Sequence, residues 1–332
     1  MKAGQTSTTA KVIAASTLLL ASDPAERALV APGAAALCRQ FLSTTLADRC
    51  LGISAATRWT RWMWRLLERH THPGIMRHYA LRKRWIEVQC RLALRQGVRR
   101  VIVIGAGLDT LALRLAPEWP EVAWVELDHP ATQAFKRHGL DRAGMTLPVN
   151  LTLHPVDLST SPLPAALMQD ARPTLVVIEG VLMYLDESDV AALLRDQVRA
   201  LSTQSVRLIF SHMVRWTEGR AGFRPSSVWV ERWLGWRAEP FKWAISPQAL
   251  LPWLQVQGFE VVLQAEPPFT ADMAVPDFGL KGENLVLCEV VATGHDMQSD
   301  QPDDTNQGDV PDVAGTCGGG LPVSSTDSSL PT

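Results

Sequence analysis

Residues 101–110 read "VIVIGAGLDT". Four β-branched aliphatics in a row fit a strand buried on both faces, the pattern of a parallel sheet covered by helices. The Gly-Ala-Gly that follows ends the strand and frees the backbone for a tight turn. "LDTLALRLAP" then reads as a helix. A strand, a glycine turn and a helix start leave exposed N–H groups beside backbone that a ligand can approach closely.

The same unit recurs. "LRKRWIEVQCRLALRQG" is a helix ending at Gly97, and "VAWVELDHP" is a second strand followed by the helix "ATQAFKRHGL". "NLTLHPVDL" is a third strand, and "PTLVVIEGVLMYL" a fourth strand with a turn. "ESDVAALLRDQVRAL" is a helix and "SVRLIFSHM" a fifth strand. After the helix "SPQALLPWLQVQG" come "FEVVLQAE" and "ENLVLCEVVA", two strands with no helix between them. The expectation is an α/β domain over 76–293, a doubly wound, mostly parallel sheet with one antiparallel strand near the C-terminus. Residues 1–75 read as a helical N-terminal extension, and the irregular block 214–243, with five of the twelve Trp, as a cap insertion. Residues 294–332, rich in Gly, Ser, Asp and Pro, read as a disordered acidic tail.

Charge narrows the partners. The chain carries −2 overall, but its tail holds seven Asp and no Lys or Arg, which leaves residues 1–293 at +5. A mildly basic body suits an anionic small molecule and is too weakly charged for nucleic acid. Five unpatterned cysteines suggest a reducing, cytoplasmic setting, and no His or Cys spacing suggests a metal. "KVIAASTLLLAS" has the outline of a signal peptide, yet it is short and interrupted by Ser16 and Thr17. No run is long enough to span a membrane. "RWTRWMWRLLERH" reads as an amphipathic helix whose Trp pack on the core while Arg stems lie along the surface; a membrane-surface or nucleic-acid helix is the alternative. No feature sets an oligomeric state.

In a doubly wound sheet the ligand lies at the carboxyl ends of the strands. A dinucleotide would want a third glycine after Gly105 and Gly107, where Thr110 stands. S-adenosylmethionine has no pyrophosphate and needs none. Acids end three successive strands: Asp128, sharing a face with Glu126, for ribose hydroxyls; Asp157, with Leu158, for the adenine amino group and ring; and Glu179, pushed out of a buried strand. An acid at Asp128 serves NAD equally well.

Together "VIVIGAGLDTLALRL", "VELDHPATQAFKR", "VDL" and "IEGVLMYLDESDVAALL" resemble the leucine carboxyl methyltransferase family, which includes bacterial O-methyltransferases linked to polyketide biosynthesis. The likeness runs from about Tyr79 to Leu194 and resumes weakly at "SPQALLPWLQVQGF". It implies a Rossmann-like class I fold and the cofactor S-adenosyl-L-methionine. By that resemblance Gly105, Ala106 and Gly107 form the cofactor loop, and Asp128 is the ribose acid. Asp157 and Leu158 are the adenine-side pair, and Glu179 lies near the methionine amino group. An Arg upstream of the first strand, Arg82 with Arg84 as second choice, holds the cofactor carboxylate, a task suited to a bidentate guanidinium. Many relatives read Asp-Thr-Arg where this chain has Asp109-Thr110-Leu111, though Arg114 remains.

Methyl transfer asks chiefly for alignment and exclusion of water. A carboxylate acceptor needs no base, whereas a hydroxyl acceptor draws on one. Tyr184 is placed to border the methyl group, His212 to act as base, and Arg215 and Arg224 to hold an acidic substrate. The expected activity is O-methylation of a carboxylate or hydroxyl of a small molecule. An NAD(P)-dependent oxidoreductase and a non-catalytic relative are the alternatives.

Overall fold

The structure, a computed structural model, describes residues 7–43, 58–225, 241–269 and 275–291. The 226–240 part of the expected cap and the tail from 294 lie outside them.

Seven strands form one sheet in the order β3-β2-β1-β4-β5-β7-β6. They are β1 (Arg100–Ile104), β2 (Ala123–Asp128), β3 (Leu151–Pro155), β4 (Thr174–Ile178), β5 (Val206–Met213), β6 (Phe259–Ala265) and β7 (Glu283–Val290). The first five pair in parallel; β7 is antiparallel to both β5 and β6. The winding reverses between β1 and β4. The expected doubly wound sheet with one antiparallel strand is what forms.

Period-two alternation along β1 explains the layering. Val101 and Val103 enter one buried cluster, with α1 (Thr8–Ala21), α2 (Ala34–Phe41) and α4 (Ile75–Arg95). Ile102 and Ile104 enter the other, under the helical stretch from Glu187 to Leu201 and the helix Pro247–Val256. Both faces are covered, so the strand needs no polar residue.

The run that resembles a signal peptide forms α1. Ser7 caps it by accepting from the Ala10 amide at 3.2 Å, and Ala14, Ala15, Leu18, Leu19 and Leu20 are buried. The Trp-rich segment forms the expected helix, α3 (Arg58–His70), but only one of its three Trp packs on the core. Trp59 and Trp62 are 67% and 59% exposed, with Met63, Leu66 and Leu67 beside them, while Trp64 packs against the core. Arg61 and Glu68 turn inward beside Trp64. Arg61 donates to the Ser22 carbonyl at 3.2 Å, Arg65 pairs with Asp23, and the Met76 amide donates to Glu68 at 3.0 Å. Fixed ionic and backbone bonds set the roll of this helix against its hydrophobic pattern.

Among the described residues no helix is long and apolar enough to cross a membrane, and no cluster of His, Cys, Asp and Glu could hold a metal ion. Cys38, Cys90 and Cys288 are unpaired and buried.

Candidate functional site

Register makes the site. Ile104 of β1 pairs with Leu127 of β2 and with Ile178 of β4. The next residues, Gly105, Asp128 and Glu179, therefore stand side by side at the carboxyl edge of the sheet. Because β7 runs the other way, its first residue, Glu283, pairs with Met213 at the end of β5 and emerges at the same edge. Helix α4 crosses this edge with His78 and Arg82, one turn apart and both buried.

The loop after β1 is held by its neighbours. Gly105 and Gly107 have φ of +72° and +51°, and a Cβ at Gly105 would lie 2.1 Å from the Val181 side chain. Only glycine fits there on both counts. The Gly105 and Ala106 amides donate to the Leu127 carbonyl at 2.8 and 3.1 Å. The Gly107 amide donates to Asp128 Oδ2 at 2.5 Å and the His129 amide to Oδ1 at 2.6 Å. Two backbone donors thus aim the Asp128 carboxylate, and each oxygen keeps acceptor capacity. Burial pushes the Asp128 carboxyl above its ordinary range against the pull of those two amides.

Farther along the loop, Asp109 accepts from the Leu111 amide at 3.0 Å and from Lys83 Nζ at 3.1 Å. Burial would raise its carboxyl, but Lys83 and Lys136 outweigh that and hold it well below the usual carboxylate range. Lys136, from α5 (Pro130–Arg142), donates at 2.6 Å both to the Asp109 carbonyl and to Glu126 Oε2.

The acid expected near the methionine end belongs to a cluster. Arg82 donates through Nε to Glu179 Oε1 at 2.8 Å and through Nη1 to Glu283 at 2.6 and 2.7 Å. Lys83 Nζ reaches Glu179 Oε2 at 3.1 Å. His78 Nε2 meets Glu283 Oε2 at 2.7 Å. Burial would raise Glu283; Arg82 and His78 overcome it and bring the carboxyl to about 2. Burial lowers the His78 imidazole below the ordinary histidine range, against the pull of Glu283. The Lys83 ammonium loses stability to burial and regains more from Asp109 and Glu179, so it stays charged.

The other sequence candidates fall in different places. Asp157 lies two residues past β3 and accepts from the Ser159 amide and hydroxyl at 3.0 and 2.6 Å. His129 Nε2 stands 3.8 Å from it, linking it to the residue after Asp128. Leu158 packs at the margin of the second core cluster. Tyr184 ends a single helical turn, Leu182–Tyr184, with its ring 6.1 Å from that of Phe241. Tyr79, the other tyrosine, lies under the Arg82 guanidinium at 5.2 Å. His212 is 1% exposed between Phe210 and Trp243, and burial lowers its imidazole to about 4. That placement suits packing, not proton exchange with solvent. Arg224 pairs with Glu218 at 2.6 Å and stacks on Trp216, while Arg215 donates to the Ala244 carbonyl. Arg114 reaches Glu87 at 2.7 Å and Thr110 at 3.1 Å. Of the two arginines weighed on α4, Arg82 is the one between the carboxylates.

Three residues of the cluster escape the sequence reading, His78, Lys83 and Glu283, and Asp109 is named there without a partner. His78 carries a signal, since it stands four residues before Arg82 on a face otherwise lined by Leu81, Trp85 and Ile86. Glu283 carries none without knowing that β7 is the antiparallel strand.

Comparison with known proteins adds an independent line. The family model described as leucine carboxyl methyltransferase matches residues 7–198, more than half of the chain. A Mycobacterium avium (strain 104) protein, provisionally named an S-adenosyl-L-methionine-dependent methyltransferase, is 39% identical over 134 residues, 38% of this chain and 40% of that protein. A Frankia alni protein with the same provisional description is 31% identical over 194 residues, 49% of this chain and 67% of that protein. The crystal structure of the S-adenosylmethionine-dependent methyltransferase SibL in its apo form is similar over 75% of this chain and 61% of its own, at 18% identity and a TM-score of 0.43. The chain thus spans about 40% of the length of the mycobacterial relative.

Proposed function

Because the chain belongs to the leucine carboxyl methyltransferase family, we propose that it is an S-adenosyl-L-methionine-dependent methyltransferase acting on a carboxylate or hydroxyl oxygen of a small molecule. The observation that carries this reading is the level register of β1, β2 and β4, which sets a glycine loop and two acids side by side above the buried Arg82 and the half-buried Lys83.

The residues suit the parts of the cofactor by their chemistry. The backbone at Gly105 and Gly107 leaves no side chain between ligand and loop. Asp128, aimed by two amides, accepts from the ribose hydroxyls. Asp157 and Leu158 serve the adenine, one by accepting and the other by packing. Glu179 accepts from the amino group, and Arg82 with Lys83 supplies the positive charge for the carboxylate. When bound, the sulfonium supplies a methyl group already activated for displacement. The chain's part is alignment and the exclusion of water. Tyr184, after the Glu179 turn, borders the acceptor. A carboxylate acceptor needs no base, which agrees with the burial of His212.

Isothermal titration with S-adenosylmethionine, S-adenosylhomocysteine and NAD(H), wild type beside Asp128→Ala, tests the reading. Both adenosyl ligands bind and NAD(H) does not. Loss of a charge-assisted hydrogen bond weakens binding to the variant by about ten- to a hundredfold. Binding of NAD(H) alone would sink the proposal.

A further inference from the structure

The charges at the site do not balance. Glu179, Glu283 and Asp109 are three carboxylates on two fixed cations, Arg82 and Lys83. Burial favours the neutral form of His78, whose Nδ1 has no hydrogen-bond partner, and the nearby ion pairs cancel: Lys136 with Glu126, and Arg91 and Arg114 with Glu87 and Glu118. Asp128, held by two backbone amides, adds to the negative side. One negative charge is left over in a place nearly closed to water: the Arg82, Glu179 and Glu283 side chains are 4%, 7% and 0% exposed. A protein does not bury an uncompensated charge for stability alone, because desolvation is costly. The surplus points to a ligand that brings a cation.

We propose that Glu283 is a positioning residue that holds the Arg82 guanidinium at the cofactor's amino-acid end, and that the surplus charge it creates makes the site prefer the sulfonium cofactor to its neutral sulfide product. This rests on the methyltransferase reading above. The geometry gives Glu283 no other task. It enters from β7, the one strand that runs against the sheet's parallel set, and spends both oxygens on Arg82 and one also on His78. S-adenosylmethionine and S-adenosylhomocysteine share the adenosine and the amino-acid end and differ by the methyl group and its positive charge. Hydrogen bonds and packing contribute alike to both. A fixed negative charge favours the sulfonium alone, and in a site of low polarisability that preference survives added salt.

The test measures affinity for both ligands by calorimetry at neutral pH, on wild type, Glu283→Gln and Lys83→Met. Glu283→Gln keeps size and one accepting oxygen and removes one negative charge; the S-adenosylmethionine to S-adenosylhomocysteine affinity ratio falls on the order of tenfold. Lys83→Met removes one positive charge, so the ratio rises, although the affinity for both ligands drops. Thermal melts establish that each variant is folded, and should Glu283→Gln fail to fold, the rise in Lys83→Met decides. A structural role for Glu283 would weaken both ligands equally. A ratio unmoved in both variants, or moved the same way in both, overturns the proposal. Wild-type protein that binds neither ligand overturns the methyltransferase reading itself, and this inference with it.

Discussion

Two groups of buried charge flank the loop after β1, and they are built differently. On the β2 side, Glu126 and Lys136 are each 1% exposed, pair one to one at 2.6 Å, and lie against Phe41 and the Asp109 carbonyl. On the β4 side, Arg82, Lys83, Glu179, Glu283 and Asp109 form a chain with more acids than bases. The first group is closed: every charge has its opposite within the protein, and the ammonium ties loop to sheet. The second is open by one charge. Burial alone therefore does not mark a functional site; an unbalanced count at a crevice does. Each group lends itself to a change that leaves the other intact.

The largest effect belongs to the closed pair. Lys136→Met strands the Glu126 carboxylate in the core and frees the Asp109 carbonyl. Removing one partner of a buried pair costs about 3–5 kcal/mol, read from urea unfolding. Adding Glu126→Gln to Lys136→Met restores most of that loss, since the stranded charge is gone. Throughout, the affinity ratio for the two adenosyl ligands stays at its wild-type value. A shift in that ratio would erase the distinction between the two groups.

Next is Arg82→Lys. An ammonium keeps the charge but cannot bridge two carboxylates with parallel bonds. Affinity for both adenosyl ligands falls by about thirtyfold, near 2 kcal/mol, while their ratio holds because the count is unchanged. If Arg82 acts as mere charge, Lys restores full affinity, and titration of the variant shows which holds.

Acid unfolding separates the groups by pH. Glu283 is held at about 2, below the 4.5 of an unperturbed glutamate. Its stabilisation is complete above pH 4.5 and drains away as pH falls through about 2. Asp109 is depressed in the same sense. Glu126 is raised by burial despite Lys136, so it adds nothing to this acid limb. Melting temperatures from pH 5 down to 2 fall less steeply in Glu283→Gln than in wild type, whereas Glu126→Gln, which removes a raised carboxyl, does not flatten the slope. Equal flattening in both variants would place the depressed carboxyl elsewhere.

The two groups also differ in how far they can be read from sequence. The strand ends are legible because register follows from apolar runs: Gly105 and Glu179 each follow an unbroken one, and Asp128 follows one interrupted by Glu126 alone. Arg82 is legible through the family resemblance. Glu283 is not, since an acid at the start of a strand reads as a solvated end until the strand's direction is known. Lys136 sits in a helix segment that also holds Arg137 and His138, and nothing local says which cation turns inward. Helix α3 marks the same limit from the apolar side. Its pattern tells which face is greasy, but bonds from Arg61, Arg65 and Glu68 to Ser22, Asp23 and Met76 decide which face points in. Periodicity ranks the faces of an element; long-range polar contacts set its orientation.

The smallest expected effect is the most exacting for the charge count. His78 donates to Glu283 and packs against Phe223 and Phe269 at centroid distances of 5.2 and 5.1 Å. Replacing it with Phe keeps a ring among those aromatics and removes one neutral donor. The loss is about 1 kcal/mol of stability, and the sulfonium-to-sulfide ratio stays put, because a neutral imidazole contributes nothing to the sum. Were His78 an imidazolium in the folded protein, the cluster would already balance. His78→Phe would then create the surplus and raise the ratio. A titration of this one variant against both ligands thus reads the protonation state of a buried imidazole and decides whether the open group is open by one charge or by none.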